Sequence, residues 1–217
     1  MAHDELAATR RSLHAVAELV LAGPQYRATG RLRLGVVAGG FATTTLTPRL
    51  LVDGGLVAGA AGVTAAIGGR TPRAIGAELG VAAGRPEGLY EDGSGVDPDE
   101  TLAVDPGEVG VIMGALALGH DALTAFAADE APVLWPEHFD VAIRVHDVNF
   151  GVSPGDGFIA EPYAYIGVAA PHDGDRFWNA PFGAAVPLRE FPGAPGVTAF
   201  FTAGRERARN SAPRGGS

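Results

Sequence analysis

Between Trp135 and Asp156 the chain alternates strictly between apolar and polar positions. Phe139, Val141, Ile143 and Val145 take one parity. His138, Asp140, Arg144 and His146 take the other, with only Ala142 between them. A period of two assigns a strand with one greasy and one charged face. Elsewhere the period changes. From Asp4 to Ala22, Leu6, Leu13, Val16, Val20 and Leu21 recur at helical spacing, and Gly23-Pro24 is expected to end that helix. Strands are expected over Gly30 to Val37, Phe41 to Leu46 and Leu50 to Val57, the last turning at Asp53-Gly54.

Thr71-Pro72 supplies a helix cap followed by proline at the first helical position, with Gly80 as the stop. Asp105-Pro106-Gly107-Glu108 repeats the start signal. Val109, Ile112, Met113, Leu116 and Leu123 then carry an apolar stripe to about Ala127. The Gly- and Pro-rich, acidic stretch from Arg85 to Pro106 reads as a surface loop. Strands return over Phe139 to Val148, Tyr163 to Val168 and Ala184 to Leu188, with a long turn at Asn149 to Gly157. The order of helix, strands, helices and strands predicts an α+β fold built on a mainly antiparallel sheet, with an N-terminal helix and a mid-chain helical pair. One domain is expected over 1–203. The Arg-, Gly- and Ser-containing tail, 204–217, reads as disordered.

Composition removes several chemistries. The chain has 217 residues and a formal net charge of −9, which disfavours nucleic acid and anionic membrane as partners. All 16 basic residues are Arg, so no lysine is present for a Schiff base or a phosphate loop. With no Cys there is no disulfide, thiolate nucleophile or cysteine metal site. No targeting segment stands out near the start, and a soluble, cytoplasmic protein is expected. The oligomeric state stays open.

Several short motifs also resemble a bacterial family known only as a domain of unknown function. They are Leu13-His14 on the first helix, GRLRL over Gly30 to Leu34, the Gly40 to Thr44 stretch, a helix ending in Leu79-Gly80, PVLWPEHFDVAI over Pro132 to Ile143, the NFGVSPGD segment from Asn149, and EPYAY from Glu161 to Tyr165. The acidic loop before the long helix departs from that pattern. The resemblance implies no activity and carries no functional residue with it.

Candidate chemistry gathers around the charged strand face. If the following strand pairs antiparallel, Glu161, Tyr163 and Tyr165 share a face that a suitable register sets beside His146. A pocket there would bind a small polar or anionic molecule, with Arg144 as charge partner, Asn149, Tyr163 and Tyr165 as further ligand contacts, and His146 with Glu161 as acid and base. The competing reading is a solvated sheet face on which Arg144 pairs with Asp140.

A metal-dependent enzyme is a second possibility, because His138-x-Asp140 followed by His172 has the order of a two-His, one-carboxylate iron site. Zinc shared by His138, His146 and Glu161 is opposed by strand rise, which sets residues eight apart at roughly 26 Å. His138 and Asp140 are therefore the expected pair for Fe or Zn, if any. Gly151-Val152-Ser153-Pro154-Gly155 matches a nucleophile elbow in letters, but Pro154 has no N–H for an oxyanion and no helix is expected after it. Trp178 and Asn179 could wall a ligand, or pack in the core. A non-catalytic interaction module, with a partner covering Trp135 and Trp178, completes the alternatives.

Overall fold

The computed structural model describes residues 2–169 and 175–211. Ten strands form one antiparallel sheet in the order β10-β9-β8-β7-β6-β1-β2-β3-β4-β5. They are β1 (Leu34–Val37), β2 (Gly40–Thr43), β3 (Leu51–Asp53), β4 (Leu56–Ala58), β5 (Thr64–Ala66), β6 (Val133–Trp135), β7 (Asp140–Val145), β8 (Val148–Ser153), β9 (Tyr163–Gly167) and β10 (Gly183–Pro187). The expected α+β class is observed.

Cross-strand register sets which residues reach the core. Leu34, Leu134, Val141, Val152 and Ala164 stand side by side across five strands, and each is at most 1 % exposed. Val36, Phe41, Val52, Val57 and Ala65 form a second row across the other half of the sheet. Helix α4 (Pro106–Phe126) lies on the core face, and Gly119 lets it approach: a Cβ there would stand 2.7 Å from both Val141 and Val152. α4 is long and apolar enough to cross a membrane, but half of its most apolar stretch is buried within the protein. It also packs against α5 (Ala194–Ser211), whose Phe201 ring meets Phe126 of α4 and Phe150 of β8.

Both capped helices begin where their signals fall. Thr71 accepts from Ala74 N–H to start α3 (Pro72–Leu79), which ends on left-handed Gly80, and Asp105 accepts from Gly107 and Glu108 N–H to start α4.

Three expected boundaries fail. The first helix, α1 (Ala2–Ala15), does not stop at Gly23-Pro24. It widens into a π-helical segment, Val16–Ala22, and continues as α2 (Gly23–Thr29) to left-handed Gly30. In the π register Gly23 N–H bonds to Glu18 O, so the next bond would run from residue 24 to Leu19 O. Pro24 has no N–H to give, and Gly84 N–H takes Leu19 O instead at 2.8 Å. Residues 204–211, expected to be disordered, are the second half of α5, and the rest of that tail lies outside the described residues. The expected turn over Asn149 to Gly157 is mostly strand β8, because the chain reverses earlier, at His146-Asp147.

Candidate functional site

The sheet face opposite α4 carries the polar parity of β7, β8 and β9. Along it, Ala142, Gly151, Tyr165 and Ala185 are register partners in one row, and Arg144, Asn149, Gly167 and Gly183 in another. Asp140 lies one step beyond the Val141–Val152 pair, in line with Ser153 and Tyr163. Loop residues cover part of this face: Phe182 meets the Tyr165 ring edge-on, and Ile159 and Phe182 pack on a small cluster of Tyr163, Ala180 and Ala185.

A cleft of about 810 Å³ opens where this face meets α1 and the acidic loop. Arg10 and His14 come from α1, Asp92 to Ser94 from the loop, Glu137 to Asp140 from the β6–β7 hairpin, and Tyr163, Tyr165 and Phe182 from the far side. A smaller cleft of about 430 Å³ shares Glu137, His138, Asp140, Asn149 and Tyr165 with it and extends to Arg33, Trp135 and Arg144.

Asp140 lines both clefts. Its residue is 5 % exposed, Tyr165 Oη donates to Oδ2, and Oδ1 has no hydrogen-bond partner. Burial pushes its pKa up to about 6; the Tyr165 hydroxyl and His138 pull it down, and Glu137 pushes it up. Burial likewise raises the Tyr165 phenol well above its usual value, helped by the Asp140 charge. The Glu137 Oε2 atom is also buried without a partner.

The hairpin that presents these groups is held from α1. His14 Nε2 lies 2.7 Å from Pro136 O, and its ring stacks on Phe139 at 5.5 Å. Since a carbonyl only accepts, Nε2 carries the proton. Burial lowers the His14 pKa, which keeps the ring neutral. Phe139 has φ of 55°, a left-handed conformation a bulky side chain adopts only under constraint, and its buried ring meets both His14 and Phe41. Tyr163 Oη donates to Asp156 Oδ2 at 2.5 Å, while Asp156 Oδ1 accepts from Phe158 and Ile159 N–H. Arg10 Nη1 donates to Ala160 O at 3.1 Å.

The acidic stretch is a built wall. Glu18, buried in the π segment, accepts from Ser94 N–H at 3.0 Å and Ser94 Oγ at 2.6 Å. Arg85 donates to the carbonyls of Tyr90, Glu91 and Asp92, and Arg73 grips Asp99 with two hydrogen bonds. Thr9 and Ser12, buried on α1, accept from Asp105 and Ala103 N–H.

The expected site residues divide. Asp140, His138, Tyr163, Tyr165 and Asn149 line the larger cleft together. His146 does not join them: with φ of 47° it forms, with Asp147 at 64°, the two-residue turn between β7 and β8, and it is exposed. Arg144 is exposed and pairs with Asp147 at 3.0 Å rather than with Asp140, although it borders the smaller cleft. Glu161 precedes β9 and pairs with Arg189 beside α4, so no His146–Glu161 acid and base forms. Trp178 is buried in the main core. Asn179 is occupied by β10, accepting from Ala185 N–H and donating to Ala185 O, both at 2.9 Å. Trp135 is half-buried beneath Arg33, so the expected apolar patch with Trp178 does not form. Ser153 ends β8 and accepts from Gly155 N–H, an ordered turn with no helix after it.

Among the described residues, no three of His, Asp and Glu converge to hold a metal ion, and His172 lies outside them. His14, the half-buried residue that sequence patterning passes over, stands within the first helix as a polar residue between Leu13 and Val16. No family model matches the chain, and no curated protein or solved structure matches it.

Proposed function

We propose that the larger cleft is the working site of this protein, binding a small polar molecule with Asp140 as its acid–base group. The observation that supports this most directly is the Asp140 carboxyl, which belongs to a cleft-lining residue and is buried, with one oxygen held by Tyr165 and the other without a partner. An acceptor left bare in a buried place costs roughly 1–3 kcal/mol, and such groups persist where a ligand completes them. A carboxyl with a pKa of about 6 also exchanges its proton near neutrality, which suits general acid–base work better than an ordinary aspartate. His14, neutral and rigidly mounted, holds the hairpin that aims Asp140.

A thermal-shift screen of polar metabolites on the wild type and Asp140→Asn in parallel tests this reading. A true ligand raises the wild-type melting temperature by mass action and loses that effect in the variant. Compounds that stabilise both proteins equally would place the site elsewhere. An enzyme further requires that the same compound be turned over, with a rate that rises through the pH range in which Asp140 ionises. Stabilisation without turnover would make the chain a binding module.

A further inference from the structure

We propose that the ligand is an organic cation, its ammonium group set between Asp140 Oδ1 and Glu137 Oε2 and its apolar body lying against Tyr163, Tyr165 and Phe182. The proposal rests on the reading of the cleft as a ligand site and adds the ligand's charge. Asp140 Oδ1 and Glu137 Oε2 are both buried and both without a donor, and both residues stand on the wall shared by the two clefts. Ionised carboxylates only accept, so what completes this pair is a group with several donors.

The arginines and His14 of the same wall are engaged elsewhere, and His138, the remaining cationic residue of that lining, is exposed. Arg11 holds Glu100 and Gly95 O, Arg10 donates to Ala160 O, and His14 Nε2 is held by Pro136 O. Unpaired carboxylate oxygens beside engaged arginines are the reverse of an anion site. Asp92 and Asp156 also line the cleft and add to the repulsion an anion would meet.

The aromatic side chains supply the second half of the recognition. Tyr163 and Tyr165 lie with ring centroids 6.2 Å apart, Phe182 meets Tyr165 edge-on at 6.3 Å, and all three line the cleft. Ring faces attract ammonium groups and cover an apolar stem, so an arylalkyl or alkyl amine satisfies both walls at once.

The test compares three probes of one shape: 2-phenylethylamine, 2-phenylethanol and 3-phenylpropionate, titrated calorimetrically at pH 7.5 into the wild type, Asp140→Asn and Glu137→Gln. The amine is expected to bind in the millimolar range or tighter, the alcohol and the acid at least about tenfold more weakly, and each substitution to weaken the amine by about tenfold or more. Glu137→Gln, on a half-buried residue, keeps the comparison available if Asp140→Asn does not fold, as judged by circular dichroism.

Tighter binding of the alcohol or the acid, lost in the variants, overturns the cation while leaving the site reading intact. Amine binding that both variants retain overturns the clamp and the site reading together. If none of the probes binds up to the order of 10 mM, the cation proposal falls and the site reading is judged by the metabolite screen alone.

Discussion

Tyr165 on β9 reaches across the whole width of β8 to donate its hydroxyl proton to Asp140 on β7. The path is open because the residue beneath the ring is Gly151, where a Cβ would stand 2.6 Å from the ring and its hydroxyl. Gly151→Ala therefore forces Tyr165 aside and strips Asp140 of its donor. We expect a loss of about 1–2 kcal/mol in urea unfolding, larger than any gain from a stiffer strand backbone, together with weakened binding in the cleft. An unchanged midpoint and unchanged binding would mean that the ring is not held there.

Tyr165→Phe removes the same hydrogen bond without crowding the face. Because that bond pulls the Asp140 pKa down, its loss is expected to move the carboxyl above its value of about 6, read from the carboxyl carbon shift by NMR titration. The fold should lose about 1 kcal/mol. A downward shift, or none, would show that Asp140 is not the group Tyr165 serves.

The pH dependence of stability follows from the same residue, and its sign is the reverse of the usual aspartate case. Folding raises the Asp140 pKa from 3.8 to about 6, so between these values the folded protein holds the extra proton. The contribution of Asp140 to stability therefore falls as pH rises from about 4 to 6 and stays reduced above that. Burial drives the shift; Glu137 adds to it, and Tyr165 and His138 oppose it. Asp140→Asn has no such titration. Relative to wild type, it is expected to be more favourable at pH 7.5 than at pH 4 by on the order of 2–3 kcal/mol, measured by urea unfolding at each pH. An equal difference at both pH values would place the carboxyl in water.

The β7–β8 turn gives a test that separates shape from chemistry. His146 and Asp147 both have positive φ, the requirement of a tight hairpin turn that Asn-Gly meets best. Replacing the pair with Asn-Gly is expected to raise stability by about 0.5–1 kcal/mol and to leave the cleft's ligand affinity unchanged. A loss of binding in that variant would return His146 to the site.

That turn also marks how far the sequence can be read. Alternation correctly separated Val141 and Ile143 from Asp140 and Arg144, and it placed Tyr163 with Tyr165, because period-two patterning follows directly from strand geometry. The helix signals at Thr71-Pro72 and Asp105-Pro106 are local and were legible for the same reason. The polar parity, however, runs unbroken through His146, since a two-residue reversal leaves no gap in the pattern. The only sign was a His-Asp pair, two residue types enriched at positive φ. His14 was hidden differently. Its role depends on contact with Pro136 and Phe139, more than a hundred residues away in the chain, and no local period encodes that. Pro24 read as a stop because its missing N–H is local, whereas the π segment and the Gly84 donor that absorb it are not.

Glu18 sits in that π segment with its side chain 3 % exposed and controls the acidic wall of the cleft. One oxygen takes both donors of Ser94, and the other lies 3.6 Å from Arg85 Nε, whose guanidinium also binds the carbonyls of Tyr90 to Asp92. Gly93 makes the approach possible, with φ of 147° and no Cβ to meet Glu18 Oε1, which would lie 2.4 Å away. Glu18→Ala leaves Ser94 N–H without its acceptor and Arg85 without its counter-charge. Arg85 is nearly half exposed, so the charge term is screened, and the expected cost is about 1–3 kcal/mol. Because Glu18 ties the wall and not the sheet, the loss should be local. Hydrogen exchange read by mass spectrometry is expected to show residues 85–96 exchanging faster while β7, β8 and β9 keep their protection, and the cleft's affinity should fall with the wall. Uniform acceleration across the sheet would instead make Glu18 a core group whose loss loosens the whole fold.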